Sequence, residues 1–159
     1  MKNILAIILL LFPILMAASC KQADSGPEKN INDSTVVNTD VMNDTIIIKV
    51  GNSEFTATLL DNPTATAFKA MLPLNINMTE LNGNEKYFRL SQNLPTNESQ
   101  PGTIASGDLM LYGSNTFVLF YKSFSTSYSY TKLGKISNTT GVVAALGTGN
   151  VTVNISSKK

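Results

Sequence analysis

Short alternating apolar segments separated by Gly- and Asn-rich turns dominate residues 107–155. Residues 108–112 and 116–121 flank a Gly-Ser-Asn turn, which is the spacing of a β-hairpin. A loop rich in hydroxyl and aromatic side chains, a strand at 130–136, a short helix and a last alternating strand follow. Because many short strands without regular βα alternation pack as sandwiches or barrels, this region constrains the chain to an antiparallel β-structure.

The region before it continues the same pattern. A β-branched run at 46–50, a Gly-Asn turn and an alternating segment at 55–59 predict another hairpin. Asp61 or Asn62 followed by Pro63 predicts a helix start, because Asp and Asn cap helices well and proline fits the first turn. A plain Asn-Pro turn is the alternative, but the apolar spacing that follows favours a helix.

The remaining segments complete the predicted domain. Further strands precede a Pro-, Asn- and Gly-rich loop at 91–106, and loops of this length are usually functional or mobile. Ser137 or Asn138 is expected to cap a second short helix that Gly147 ends. We therefore predict that residues 45–159 form a mainly β domain, a small closed antiparallel β-barrel of about eight strands with two short helices.

The N-terminal segment has the pattern of a bacterial lipoprotein. A basic start, an apolar run and small residues precede Cys20, the single cysteine of the chain. The apolar run is too short to span about 30 Å of hydrocarbon. We predict a signal peptide at 1–19, lipidation of Cys20, and a flexible polar tether over 20–44 that anchors the protein to a bacterial membrane in the cell envelope. The alternative is a secreted or cytosolic protein with an incidental cysteine.

Composition removes several classes of function. Without histidine and with one cysteine, the chain can form neither a Ser-His-Asp or Cys-His catalytic site nor a His/Cys zinc site. Its acidic residues are scattered and no phosphate-binding loop is present, so no metal and no cofactor are predicted. The charge is near neutral and Arg89 is the only arginine, which argues against nucleic acid as a partner. A binding groove is the function class that remains.

A small set of residues is predicted to line such a groove. Arg89 ends a predicted strand beside the long loop, where a guanidinium can bind a carbonyl or carboxylate. Phe124, Tyr128 and Tyr130 share one face if their segment is extended, and such aromatics suit a peptide or small-molecule ligand. Phe120 completes the predicted ligand-binding set. The alternatives are a surface role for Arg89, a core position for Phe120, and a barrel-end plug formed by the tyrosines.

Five segments resemble the bacterial cyclophilin-like domain, a barrel related to the peptidyl-prolyl isomerase cyclophilin. They are FTATLLDNPTATAFKAMLPL at 55–74, LNGNEKY at 81–87, GDLMLYG at 107–113, VLFYKSFSTSYSY at 118–130 and LGKI at 133–136. The resemblance covers nearly all of residues 45–155. It implies the same closed barrel that the strand pattern predicts.

The resemblance also raises isomerase activity as an alternative function. Cyclophilin activity is associated with a Phe-His-Arg motif, a Phe-Met-x-Gln stretch, a proline pocket, and usually a tryptophan and a histidine. Here Tyr87-Phe88-Arg89 stands at the first motif, the loop 91–106 replaces the second, and the chain has no tryptophan or histidine. We expect a membrane-tethered binding module with no catalytic residue. If the chain is an isomerase, Arg89 is the catalytic residue, and a third alternative is a structural part of the envelope.

Replacing Cys20 with serine removes the predicted acylation site and should release the protein from membranes, because the anchor is a lipid and not a membrane-spanning helix. Membrane fractionation followed by immunoblotting measures the release, with Ser25→Ala in the tether as the matched control. Continued sedimentation of the Cys20→Ser variant with membranes would contradict an acyl anchor at this position.

Overall fold

The computed structural model describes residues 44–159. The predicted signal peptide, Cys20 and the tether up to residue 43 lie outside the described residues. Within the described range, neither helix has the length and apolar character that crossing a membrane requires.

Residues 44–159 form ten strands and two helices, in the mainly β composition that the sequence predicts. The elements are β1 (Thr45–Val50), β2 (Ser53–Leu59), α1 (Pro63–Lys69), β3 (Leu74–Leu81), β4 (Glu85–Arg89), β5 (Thr103–Ile104), β6 (Asp108–Tyr112), β7 (Thr116–Phe120), β8 (Phe124–Ser125), β9 (Thr131–Ile136), α2 (Val142–Leu146) and β10 (Val151–Ser157).

Eight of these strands close into an antiparallel barrel, as predicted. Their order around the barrel is β1-β10-β3-β4-β7-β6-β9-β2, and β2 pairs with β1 to close it. The two short strands β5 and β8 form a separate two-stranded sheet. Closure pairs every barrel strand on both sides, so the barrel exposes no unpaired strand edge.

The barrel interior is filled by side chains at alternate positions of the strands. In β1, Ile46, Ile48 and Val50 are buried. Lys49, which lies between two of them, is exposed. Helix α1 adds Phe68, whose ring stacks on Phe117 of β7 at 4.9 Å. Burial of these apolar side chains supplies the main stabilisation, since the chain's single cysteine permits no disulfide within it.

A second, smaller apolar cluster lies on the outer face of β6 and β7. Leu109 and Leu119 belong to the interior cluster, whereas their neighbours Met110 and Val118 belong to the outer one. The outer cluster is covered by β5 and β8, through Ile104 and Phe124. These two barrel strands are therefore buried on both faces.

The start of α1 agrees with the prediction from the sequence. Asn62 caps the helix, its side-chain oxygen accepts a hydrogen bond from the Ala65 amide at 2.8 Å, and Pro63 is in the first turn. The side-chain nitrogen Nδ2 of Asn62 also donates to the Lys132 carbonyl at 3.0 Å, which ties the cap to β9. The cap thus fixes both the helix start and its position on the barrel.

The predicted cap of α2 is wrong. Gly141 is the N-cap, with a φ of 83° that favours glycine, and it makes no side-chain capping bond. Asn138 instead accepts a hydrogen bond from the Thr140 amide at 2.9 Å and forms a local turn before the helix. The predicted end at Gly147 is confirmed.

Gly134 marks the closest approach between β9 and β2. A Cβ atom at this position would collide with the carbonyl oxygen of Thr58 and lie 3.0 Å from the Leu59 Cα. Because the obstacle is backbone, it cannot move away as a flexible side chain would. We expect Gly134→Ala to lower the free energy of unfolding by about 2 kcal/mol, a typical cost of overpacking.

Chemical denaturation measures this change, with Gly149→Ala as the matched control. A Cβ at Gly149 meets no atom within 4 Å, so the control should unfold close to wild type. A Gly134→Ala variant as stable as the control would contradict the close approach of the two strands.

Candidate functional site

A pocket of about 550 Å³ lies against the outer face of the barrel, beside the second apolar cluster. Its lining comes from the turn before β4, from the outward-facing side chains of β4, from β6 and β7, and from the segment 124–130. Pockets of this size and of mixed apolar and polar lining are typical of small-ligand sites.

The structure brings most of the predicted ligand-binding residues together. Arg89, Phe124, Tyr128 and Tyr130 all line this pocket, although they come from separate parts of the chain. Phe120 does not line it: its side chain is fully buried and packs beneath the pocket. The rings of Phe124 and Tyr130 lie against it, with centroids 5.7 Å and 5.5 Å away. Phe120 therefore supports two lining residues from below.

Tyr112 extends the aromatic wall and was not predicted from the sequence. Its ring packs against Tyr130, with centroids 5.6 Å apart, and meets Tyr128 edge-on at 6.2 Å. Tyr112 is the last residue of β6, where the alternation Met110, Tyr112 places it on the outer face. That alternation was the signal that could have identified it.

The segment 124–130 is extended only at its start. Strand β8 ends at Ser125, and the Thr126 hydroxyl then accepts a hydrogen bond from the Tyr128 amide at 3.1 Å. As a result Ser125 and Ser127 line the pocket as well as the even-numbered residues. An antiparallel bridge between Tyr130 and Ser99, with two backbone hydrogen bonds of 3.0 Å, fastens the end of the segment to the long loop.

Glu85 is the most unusual lining residue, and sequence reasoning missed it. It is the first residue of β4 and only 8% exposed, yet it borders the pocket. Within residues 44–159, no group donates a hydrogen bond to its carboxyl. Burial raises the pKa of Glu85 to about 7, and the negative charge of Glu80 adds to the rise.

Asn84, the residue before it, carries a second acceptor without a donor. Its side-chain oxygen Oδ1 is buried and has no hydrogen-bond partner among the described residues. Its backbone oxygen is satisfied, since it accepts from the Tyr121 amide at 3.0 Å. Asn84 and Glu85 both line the pocket, and the described residues donate a hydrogen bond neither to the Asn84 Oδ1 atom nor to the Glu85 carboxyl.

Lys86, next along β4, points the opposite way and is fully satisfied. Its side chain is completely buried, pairs with Glu80, and donates to the carbonyl oxygens of Gly147 and Gly149 at 3.0 and 2.6 Å. Burial acts to raise the pKa of Glu80, but hydrogen bonds from Lys86 and Tyr121 outweigh it and lower that pKa. This network therefore stabilises the barrel and offers no free donor to the pocket.

No cluster of three or more metal-ligating side chains occurs in the part of the chain that the structure describes. The pocket's chemistry is thus that of its aromatic faces, the hydroxyl groups, the Arg89 guanidinium and the Glu85 carboxyl.

A small closed barrel with an external aromatic pocket defines the class of this protein. A model of the cyclophilin-like family matches residues 48–156, and the chain belongs to that family. The family predicted from the sequence segments is therefore confirmed. No curated protein and no solved structure matches the chain.

Glu85 makes the stability of the fold depend on pH. In the folded chain its pKa is about 7, against an ordinary value of 4.5, so the folded state retains a proton that the unfolded state loses. Stability from this group is fully present below pH 4.5 and is lost as the pH rises through 7. The lowered pKa of Glu80 places its titration below this window.

We expect Glu85→Gln to be more stable than wild type at pH 8 by roughly 1–3 kcal/mol, and close to wild type at pH 5. Urea denaturation at a series of pH values measures the difference, with the exposed Glu54→Gln as the control. Parallel pH profiles for wild type and Glu85→Gln would contradict the raised pKa.

Proposed function

We propose that this protein is a membrane-tethered cyclophilin-like module that binds a peptide or small molecule in the pocket on the outer face of β4, β6 and β7. The observation that carries the proposal is the convergence of Arg89, Glu85 and the tyrosines on one pocket of about 550 Å³. A few polar groups that converge on a concave surface with aromatic side chains form the arrangement that ligand sites share.

The lining residues favour a ligand of mixed polarity. Val118 and Phe124 provide apolar surface, and the tyrosines combine an apolar ring with a hydroxyl that can hydrogen-bond. Arg89 is exposed at the end of β4, where its guanidinium can bind a carbonyl or a carboxylate in a bidentate manner. Short peptides present both kinds of surface.

The tether and its anchor belong to the same proposal. Lipidation at Cys20 would hold the protein on a bacterial membrane in the cell envelope, and the polar residues 20–44 would separate the barrel from it. A flexible chain of this length spans on the order of 25 Å. The pocket would then sample ligands close to the membrane surface.

We further propose that the pocket binds its ligand without isomerising it. The chain has no histidine and no tryptophan, and the loop 91–106 replaces a stretch associated with cyclophilin activity. One observation favours the alternative of a divergent peptidyl-prolyl isomerase: Arg89 lines the same pocket as the apolar side chains. An arginine in that position could polarise a prolyl amide as it twists.

Ligand screening on the full chain tests the binding proposal. Thermal-shift measurements with a library of metabolites and proline peptides, followed by native mass spectrometry, should yield a ligand that raises the melting temperature of wild type. The effect should be absent or much weaker in Arg89→Ala. It should be retained in Lys49→Ala, which removes an exposed cation of β1, a strand that contributes no residue to the pocket. Stabilisation that is equal in wild type and Arg89→Ala would contradict this pocket as the binding site.

A prolyl-peptide assay separates the two functions. We expect no turnover above the uncatalysed rate at high protein concentration. Turnover that disappears in Arg89→Ala would overturn binding without catalysis and establish the isomerase.

A further inference from the structure

The end of the pocket at Asn84 and Glu85 lacks hydrogen-bond donors. The described residues donate a hydrogen bond neither to the Glu85 carboxyl, which borders the pocket, nor to the Asn84 Oδ1 atom, which is buried. A buried polar group without its partner costs roughly 1–3 kcal/mol, and more when it is charged. Each such group needs an explanation, and a ligand that supplies the missing partner is one.

The chain has a lysine one residue away that does not meet this need. Lys86 lies on the opposite face of β4, and its ammonium is occupied by Glu80 and by the Gly147 and Gly149 carbonyls. The strand alternation keeps that ammonium inside the barrel and the Glu85 carboxyl outside it. Lys86 therefore supplies no donor to Glu85, and a ligand in the pocket that carries a donor can pair with the Glu85 carboxyl.

Aromatic rings at the pocket favour a positively charged donor. Tyr87, Tyr112 and Tyr130 line the pocket together with Glu85. The negative charge of Glu85 contributes, after burial, to raising the pKa of Tyr130 to about 12, which agrees with their closeness. Aromatic faces next to a carboxylate attract ammonium groups, since both present negative charge to the cation.

Arg89 gives the pocket a second charge of opposite sign. Glu85 and Arg89 are the first and last residues of β4 and face the same side of the strand. Four steps of about 3.3 Å separate their backbones by roughly 13 Å. This distance is close to the length of an extended peptide of about four residues.

We propose that the ligand is a short peptide with free termini, whose protonated amino terminus binds Glu85 and whose carboxylate binds Arg89. This proposal rests on the proposed binding function and specifies its ligand class. The aromatic wall of the pocket holds the middle of the peptide, and the two charged ends set its direction along β4.

Isothermal titration calorimetry of the full chain with tetra-alanine tests the proposal at pH 7. The peptide is used in four forms: with free termini, N-acetylated, C-amidated, and blocked at both ends. We expect N-acetylation and C-amidation each to weaken binding by about tenfold or more, since each removes a charge-assisted contact.

Variants assign each terminus to its residue. In Glu85→Gln, N-acetylation should no longer matter, and in Arg89→Gln the same should hold for C-amidation. Glu98→Gln, an exposed glutamate outside the pocket lining, is the control and should behave as wild type. The comparison of peptide forms needs only the wild-type protein, so it stands even if a variant fails to fold.

Two results would overturn the peptide proposal. Equal binding of the free and N-acetylated peptides would exclude an amine site at Glu85 while leaving a binding pocket in place. No binding of any form would exclude short peptides as ligands, and the binding function itself would then be decided by the separate ligand screen with Arg89→Ala.

Discussion

The arrangement of this barrel depends on the ion pair and hydrogen bonds that the buried Lys86 ammonium makes. This ammonium is completely buried, and it joins Glu80 at the end of β3 to the carbonyls of Gly147 and Gly149 in the connection between α2 and β10. A buried charge is tolerated only when it is paired and its remaining protons are bonded, and both conditions hold here. Tyr121 completes the network by donating its hydroxyl proton to Glu80 at 2.8 Å.

The position of Lys86 also determines the pocket. Strand β4 pairs with β7 so that Lys86 is opposite Leu119 and Glu85 is opposite Phe120. A register shift of one residue would exchange the two faces, placing the Glu85 carboxyl in the barrel interior and the lysine in the pocket. The interior ion pair therefore fixes which side chains of β4 face the pocket, and the stability of the barrel behind Glu85 offsets the cost of leaving it without a donor among the described residues.

Much of this structure follows from local sequence patterns, and the parts that do not follow share a physical cause. Alternation, turn residues and the Asn62 cap predict the barrel, because each depends on neighbours in the chain. Phe120 is harder, since β7 is buried on both faces and alternation then gives no inward side. Glu85 and Lys86 look like ordinary surface charges, because charged residues are rarely buried and their partners are distant in the sequence. The aromatic side chains Phe124, Tyr128 and Tyr130 and the charge of Arg89 were predictable, whereas the Glu85 end of the pocket was not.

Measuring the pKa values of Glu80 and Glu85 tests most directly whether the two faces of β4 differ as described, with paired charges inside the barrel and an unpaired carboxyl at the pocket. Carbon-13 NMR titration of the glutamate side-chain carboxyls, assigned with Glu80→Gln and Glu85→Gln, measures each pKa in the folded protein. The structure predicts that Glu85 titrates at about 7 and that the pKa of Glu80 lies below 4.5. If both glutamates titrate together near the ordinary value of 4.5, Glu85 is solvated and Glu80 unpaired, and the division of β4 into a satisfied inner face and an unsatisfied outer face is wrong.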